Sequence, residues 1–487
     1  MTKKRAIAVS TPVAAAQYQG TALIADPIHG YIPFTVPASS GTPAPANAPS
    51  AEITEKELID SPWIQRLRLI YQLQSARWVF PSAEHSRFVH SLGAMHVAGR
   101  FAQHLYPTLK EVVPETPSQP FIEEILRIAA LFHDSGHGPF GHFFDDNFLN
   151  AYGITHEVVG QQIITRGVQD LIRRIRRSPH GDFAPGEEID PAHVAFLIRK
   201  DPGPSAAGLP RWLTILQPLL SGVYTVDNLD YVLRDAYMCG VSTGPIDLSR
   251  LIHYTFFTAQ GLTLHKAGGS ALGMFLNARL YMYSNVYYHR TTRAIDLHLR
   301  EIFRETIRSI FPHNPMKRLT EYQRLTDWSL LEEVRSWPRS RHPRRRRLGA
   351  EWSRILARNV KWRMACDTTL SVRQAEKGRT VISHADLEEK VRKELPPALR
   401  KLPFRVDMAS QDPRPENPLM MGERQIYVFN PSSRKVSKEW LMDYFEHIPA
   451  KIVHCRVFAL DHRHDAELAE ITERVLRTDR ASISTNV

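Results

Sequence analysis

The stretch Leu131–His142, LFHDSGHGPFGH, sets a histidine and an aspartate side by side at the end of an apolar run, then follows them with glycines, a proline and two more histidines. Upstream, FIEEILRIAALFHD (Phe121–Asp134) carries Ile125, Ile128, Ala129 and Phe132 at helical spacing. The segment is expected as a helix that packs on one face and breaks at Gly136, Gly138 and Pro139. Such a helix end delivers His133 and Asp134 to one place, where an imidazole nitrogen and a carboxylate oxygen can share a divalent cation and leave positions for phosphate oxygens and water. A His-Asp dipeptide alone is a chance event. His137, His142 and His156 add donors with no hydrophobic role, so the segment reads as one wall of a metal site.

Working outward, 487 residues suffice for a large core and two or three structural units. Cys239, Cys366 and Cys455 are far apart, form no CxxC pair and leave an odd count, which points to a reducing compartment and away from zinc-finger ligation. No apolar run approaches the ~18 residues needed to cross a bilayer, and MTKKRAIAVSTPVAAAQYQG at the N-terminus lacks the continuous apolar region of a signal peptide. A cytoplasmic protein with a frayed first 20 residues and no membrane contact is expected. The net charge of +11 is partly local, because Arg335–Arg354 (RSWPRSRHPRRRRLGAEWSR) is dense in arginine. That run offers non-specific, salt-sensitive contact to nucleic acid or nucleotide phosphates; a solvated loop is the plain alternative.

The chain is expected to be mostly α: a helical core over residues 21–312, a helical, arginine-rich extension over 313–399 and a smaller α+β lobe over 400–487. Ala22–Phe34 alternates like a strand and turn, whereas Thr35–Glu52 is a Pro/Ala/Ser loop. Ser61 before Pro62 marks a helix start, and Ser86 marks another. The run Met274–Phe303 reads as one long helix, and RQIYVFN (Arg424–Asn430) and KIVHCRVFAL (Lys451–Leu460) as the clearest strands.

A single cation needs ligands from separate helices. His90 in HSRFVHSLG (His85–Gly93) and Asp227 in DNLDYVLRD (Asp227–Asp235) are the candidates to join His133 and Asp134. Asp227, Tyr231 and Asp235 recur at i, i+4 and i+8, so one helix face presents two carboxylates and an aromatic. The plain alternatives are N-capping by Asp227 and a solvated Asp235.

The order HSRFVHSLG, LFHDSGHGPFGH, THE (Thr155–Glu157) and DNLDYVLRD, together with DPIHGYI (Asp26–Ile32) and QRLRLIYQL (Gln65–Leu73), resembles the HD-superfamily deoxynucleoside-triphosphate triphosphohydrolases from about Asp26 to about His289. The resemblance implies an HD-domain fold and metal-dependent release of tripolyphosphate from a deoxynucleoside triphosphate. The implied ligands are His90, His133, Asp134 and Asp227, for a divalent ion such as Mg, Mn, Zn, Fe or Co. It matches His142 and His156 to histidines that act near the α-phosphate, with His137 on the same wall; because a histidine titrates near neutrality, His142 is expected as general acid on the departing nucleoside oxygen, with His156 and Glu157 orienting. Arg87 would grip the triphosphate. Gln72, Leu73, Tyr231, Asp235 and Tyr287 would hold the nucleotide, Tyr287 packing where a 2'-hydroxyl would have to fit.

Asp60, Gln65 and Arg68 of IDSPWIQRLR match the guanine-nucleotide effector site that relatives with a SAM domain form between subunits, which implies a homo-oligomer, dimer to hexamer. Ala22 and Ala25 stand where those relatives carry the phosphate half of that site. Gln74, Arg77 and Trp78 in LQSARWVF (Leu73–Phe80) depart from the family pattern near the substrate. They keep open an HD phosphohydrolase of ribonucleotides, monophosphates or modified nucleotides. A nucleic-acid-binding protein with a vestigial site is the third reading.

Overall fold

The computed structural model describes residues 20–37, 53–200, 208–372, 383–411, 427–437 and 451–484. The expected N-terminal tail through residue 19 and most of the Pro/Ala/Ser loop lie outside them. The principal helices are α1 (Arg87–Val112), α2 (Gln119–Phe132), α3 (His142–Asn147), α4 (His156–Gln162), α5 (Val226–Cys239), α6 (Gly269–Met282), α7 (Arg290–Ile310), α8 (Asp327–Ser336), α9 (Pro343–Leu356), α10 (His384–Glu394) and α11 (Asp465–Ser484).

The core is centred on α1 packed against α2, with α5 laid on α1. Apolar residues recur along α1 at Leu92, Met95, Phe101, Leu105 and Leu109, all buried. Gly93 lets α5 come close, since a Cβ there would meet Asp230 Oδ1 at 1.9 Å and the Arg234 guanidinium at 2.3 Å. The expectation that α2 packs on one face fails: every residue from Phe121 to Phe132 is buried. Two of its polar side chains are paired inside, with Arg127 Nε donating to Glu55 Oε1 at 2.6 Å and Ser178 Oγ donating to Glu123 Oε2 at 3.0 Å, whereas neither oxygen of Glu124 has a hydrogen-bond partner among the described residues and burial pushes its carboxyl up. Arg127 and Glu123 are tolerated there because each has a partner that offsets its lost hydration.

The expected helix start at Ser61 is present but short. Pro62–Gln65 makes one turn, and Ser61 Oγ forms no cap hydrogen bond. Nor is Met274–Phe303 one helix: α6 ends at Met282, a π-helical turn covers Tyr283–Tyr287, and His289 caps α7 by accepting from the Thr291 amide. The widened turn carries Tyr283 and Tyr287 to one cleft, as such turns do at functional sites.

Strands are few. β1 (Thr21–Asp26) and β2 (Gly30–Thr35) form an antiparallel hairpin. A four-stranded sheet has the order β8 (Lys435–Ser437), β7 (Tyr427–Asn430), β4 (Gly261–His265), β3 (Thr255–Thr258), with β4 and β7 parallel. A three-stranded antiparallel sheet has β9 (Lys451–Ala459) between β5 (Arg363–Val372) and β6 (Phe404–Gln411). Two features therefore depart from the expected lobe at 400–487. The strand expected around Val428 joins the sheet of the first core, and β5 and α10, expected with the helical extension, help build the second. Leu387 and Val391 of α10 pack there with Phe404, Val457 and Leu468. The arginine run starts at the end of α8, crosses a short turn and continues along α9, whose Leu348, Trp352 and Ile355 are buried at helical spacing. Its Arg344 and Arg347 pair with Glu305, and Arg345 with Glu333 at 3.2 Å, so part of its charge is neutralised locally. All three cysteines are free. Among the described residues no helix is long and apolar enough to cross a membrane.

Candidate active site

Three elements meet at one corner. His90 comes from the first turn of α1, His133 from the end of α2, and Asp227 from the first turn of α5. Thr225, not Asp227, caps α5 by accepting from the Asn228 amide, so the Asp227 carboxylate is free to face the corner. His90 Nε2 lies 3.2 Å from His133 Nε2 and 3.1 Å from Asp227 Oδ1, and His133 Nε2 lies 3.5 Å from the same oxygen. Asp134 flanks the corner, its Oδ1 3.3 Å from His133 Nε2 and its Oδ2 3.8 Å from His90 Nε2.

The outer nitrogens of both imidazoles are engaged. His90 Nδ1 is 2.8 Å from Asp230 Oδ2 and His133 Nδ1 is 2.6 Å from the Ala130 carbonyl. Both rings thus donate outward and turn Nε2 inward, as histidine ligands do. Asp230 is itself braced by Arg234, at 2.8 and 2.9 Å, and by His29 Nε2 at 2.7 Å. Burial alone would lower His90 and His133, but the hydrogen bonds and charges of Asp227 and Asp230 outweigh it and push His90 up to about 10. The charge of Asp134 and the hydrogen bond and charge of Asp227 raise His133. Carboxylates that favour the positively charged form of both imidazoles also suit a metal cation in the same place. His90, His133 and Asp227 fit a divalent ion, with Asp134 as the nearest further donor.

A cleft of about 810 Å³ opens beside this corner, lined by Gln72, Leu73, Arg87, His133, Asp134, His142, His156, Glu157, Asp227, Tyr231, Asp235 and Tyr287 among others. Sequence positions from 72 to 287 are thereby brought together. Arg87 donates to Asp134 Oδ2 at 2.5 Å. Gln72 Oε1 and Arg87 Nε are buried without a hydrogen-bond partner among the described residues. At the far wall Asp235, 1% exposed rather than solvated, accepts from Tyr287 Oη at 2.7 Å and contacts His85 Nε2 at 2.8 Å.

A second group stands next to the corner. His142 is 59% exposed at its side chain and faces the cleft, whereas His137 is fully buried and stacks 3.6 Å beneath His156. Asp145, which the sequence reading passed over, sits among them: its Oδ2 lies 2.6 Å from His156 Nδ1, 3.4 Å from His142 Nδ1 and 3.5 Å from His137 Nδ1. Burial and the charge of His137 lower His156 to about 3, despite Asp145, so its ring is neutral at ordinary pH. Glu157 contacts His156 Nε2 at 3.2 Å and receives Lys200 Nζ at 2.5 Å. Burial would raise this carboxyl, but His156 and Lys200 bring it down to about 2. A Cβ at Gly136 would sit 2.0 Å from the His156 carbonyl, which shows how tightly α4 docks on the His-Asp loop.

Other candidates lie elsewhere. Asp60 pairs with Lys56 at 2.7 Å, Gln65 donates to the Ile59 carbonyl at 2.8 Å, and Arg68 bonds Gln65 and lies over the Phe88 ring at 3.6 Å. Arg77 and Trp78 are not in the cleft lining. Arg77 pairs with Glu84 at 3.0 Å and covers the Tyr71 ring, and Trp78 meets Phe140 edge-on. Expected near the substrate, these two side chains stand behind the cleft wall, because that turn packs on Tyr71 and Phe140.

Residues 87–195 match the HD domain family and residues 246–389 match the HD associated region. The chain therefore carries an HD domain, with the His-Asp pair at the corner described above. It is 33% identical over 246 residues to an uncharacterized protein of Methanocaldococcus jannaschii, covering 50% of this chain and 44% of that one. It is 28% identical over 309 residues to the deoxynucleoside triphosphate triphosphohydrolase SAMHD1 of Bos taurus, covering 58% of this chain and 47% of that one. The matched part thus spans about half the length of these relatives. A solved structure of a hypothetical protein from Aquifex aeolicus shares the fold, with a TM-score of 0.65 and 23% identity over 93% of this chain and 99% of that one.

Proposed function

We propose that this chain hydrolyses deoxynucleoside triphosphates to deoxynucleoside and tripolyphosphate. The observation that carries the reading is the shared cleft: two inward-turned Nε2 atoms and Asp227 on one wall with Arg87 bonded to the flanking Asp134, and a Tyr287–Asp235 pair on another. His90, His133, Asp134 and Asp227 would hold a divalent cation, and two imidazoles with carboxylates suit Mn, Fe, Co or Zn at least as well as Mg. Bound there, such an ion supplies charge stabilisation at the α-phosphate and orients water for in-line attack.

The chain's own residues do the rest. Arg87 and Lys200 supply positive charge along the phosphate path, where charge-assisted hydrogen bonds to phosphate are strong. His142, exposed to the cleft and steadied by Asp145, would protonate the departing nucleoside oxygen, while neutral His156 donates its one N–H, at Nδ1, to Asp145 and holds that carboxylate beside the acid. Tyr287 is held against Asp235 and crowds the sugar edge, so a 2'-hydroxyl would be buried without a partner. The similarity to SAMHD1 supports the substrate class. Assembly into a homo-oligomer belongs to the same proposal and is read by light scattering with and without nucleotide.

The test is product identity. The four dNTPs and four NTPs are incubated with Mg, Mn or Co, and products are resolved by ion chromatography. Deoxynucleoside with equimolar tripolyphosphate is expected; inorganic phosphate, pyrophosphate or equal turnover of NTPs would overturn the reading.

A further inference from the structure

Asp327 opens α8, is 2% exposed and belongs to none of the groups above. Its Oδ2 accepts the Tyr71 amide at 2.7 Å and its Oδ1 accepts the Phe140 amide at 2.6 Å. Tyr71 leads directly into Gln72 and Leu73 on one wall of the cleft. Phe140 leads through Gly141 into His142 on another.

The second attachment point is strained. Phe140 has φ 65° and Gly141 φ 51°, consecutive residues in the left-handed region. A residue with a side chain stays there only when its surroundings hold it. The Phe140 ring is packed by Trp78, Phe303 and Trp352, and its amide is taken by Asp327. The turn presses the backbone against Arg87, since a Cβ at Gly141 would lie 2.4 Å from the guanidinium. The same turn aims His142 into the cleft.

We propose that Asp327 is a positioning residue for the hydrolysis: its two oxygens tie the Gln72–Leu73 wall to the Phe140–His142 turn and so set where the acid histidine stands relative to the nucleotide. The proposal rests on the function read above. Arg66, Arg77 and Arg87 are the charged groups facing the carboxylate. Burial raises it to about 6, against the two amides and the nearby arginines. Below that pH the carboxyl carries a proton, one oxygen points a donor at an amide that needs an acceptor, and one tie weakens.

The full chain is compared with Asp327→Asn, which keeps the volume but leaves one amide without an acceptor. Hydrogen exchange is read over Tyr71–Gln72 and Phe140–His142, bound Mn per chain by elemental analysis, and kcat and KM for a dNTP. We expect faster exchange in at least one segment, unchanged Mn, and kcat lower by about 10²-fold, the scale of a small misplacement of a catalytic group. Unchanged protection in both segments overturns the proposal, as does opened protection with kcat and KM per folded chain unchanged. Should the variant not fold, the wild type decides: exchange at the two amides, corrected for intrinsic rates, must loosen between pH 7 and pH 5, and constancy overturns the tie. If the wild type turns over no nucleotide, the function reading fails by itself, and exchange with dNTP affinity still judges Asp327.

Discussion

The metal corner and the helix start at Ile59–Arg68 both repeat family words closely, yet they are built in opposite ways. At the corner, three elements distant in sequence aim Nε2, Nε2 and a carboxylate oxygen at one point, and the outer nitrogens are tied off by Asp230 and the Ala130 carbonyl. At the helix start, Asp60, Gln65 and Arg68 bond to residues at most six positions away, and Arg68 lies over Phe88. The first arrangement gathers possible ligand atoms from three elements at one point, whereas the second satisfies its polar groups locally.

Substitutions can break this contrast. His133→Ala removes a ligand atom from the corner while a buried helix end remains, so turnover should fall to background with circular dichroism unchanged; wild-type-like activity of the folded variant would separate the corner from the chemistry. His142→Ala should leave metal content intact and lower kcat by at least about 10²-fold, the range of general acid–base roles. Steady-state rates with elemental analysis check it, and an unchanged rate moves the acid elsewhere.

Smaller effects sharpen the comparison. Replacing Tyr287 by alanine frees the sugar edge and removes the burial of an unpaired hydroxyl, worth about 1–3 kcal/mol. The ratio of kcat/KM for GTP over dGTP should rise about tenfold, and no change would place sugar selection away from the Tyr287–Asp235 pair. Asp60→Ala should matter least. Its partner is an exposed lysine, and such pairs contribute about 0–1 kcal/mol, so activity with and without GTP should change less than about twofold. A large loss of GTP stimulation would show that the helix start is an effector site.

Much of this was readable from sequence, for identifiable reasons. His133 and Asp134 were legible because an apolar helix ends on them beside glycines, and Asp227, Tyr231 and Asp235 because helical spacing places them on one face. Asp230 and Arg234 escaped notice although they lie in the same quoted motif and, three and seven residues after Asp227, on the same side of α5: Asp230 meets the other ring nitrogen of His90 only because Gly93 lets α1 and α5 approach, and nothing in one helix tells which carboxylate meets a histidine. Asp145 escaped for the same reason, its three imidazole neighbours coming from two other segments and its own turn. The break after Met282 carries no glycine or proline; the π-helical turn follows from packing. β5 escaped because its ladder partner, β9, lies about ninety residues further on.

The most direct test of the account titrates Mn or Co into metal-stripped wild-type chain and follows bound metal and dNTP turnover on the same samples. The account predicts that turnover is absent after stripping and rises in proportion to occupancy of a site that Asp227→Ala abolishes. Full turnover by the stripped chain, or by Asp227→Ala without bound metal, would contradict it.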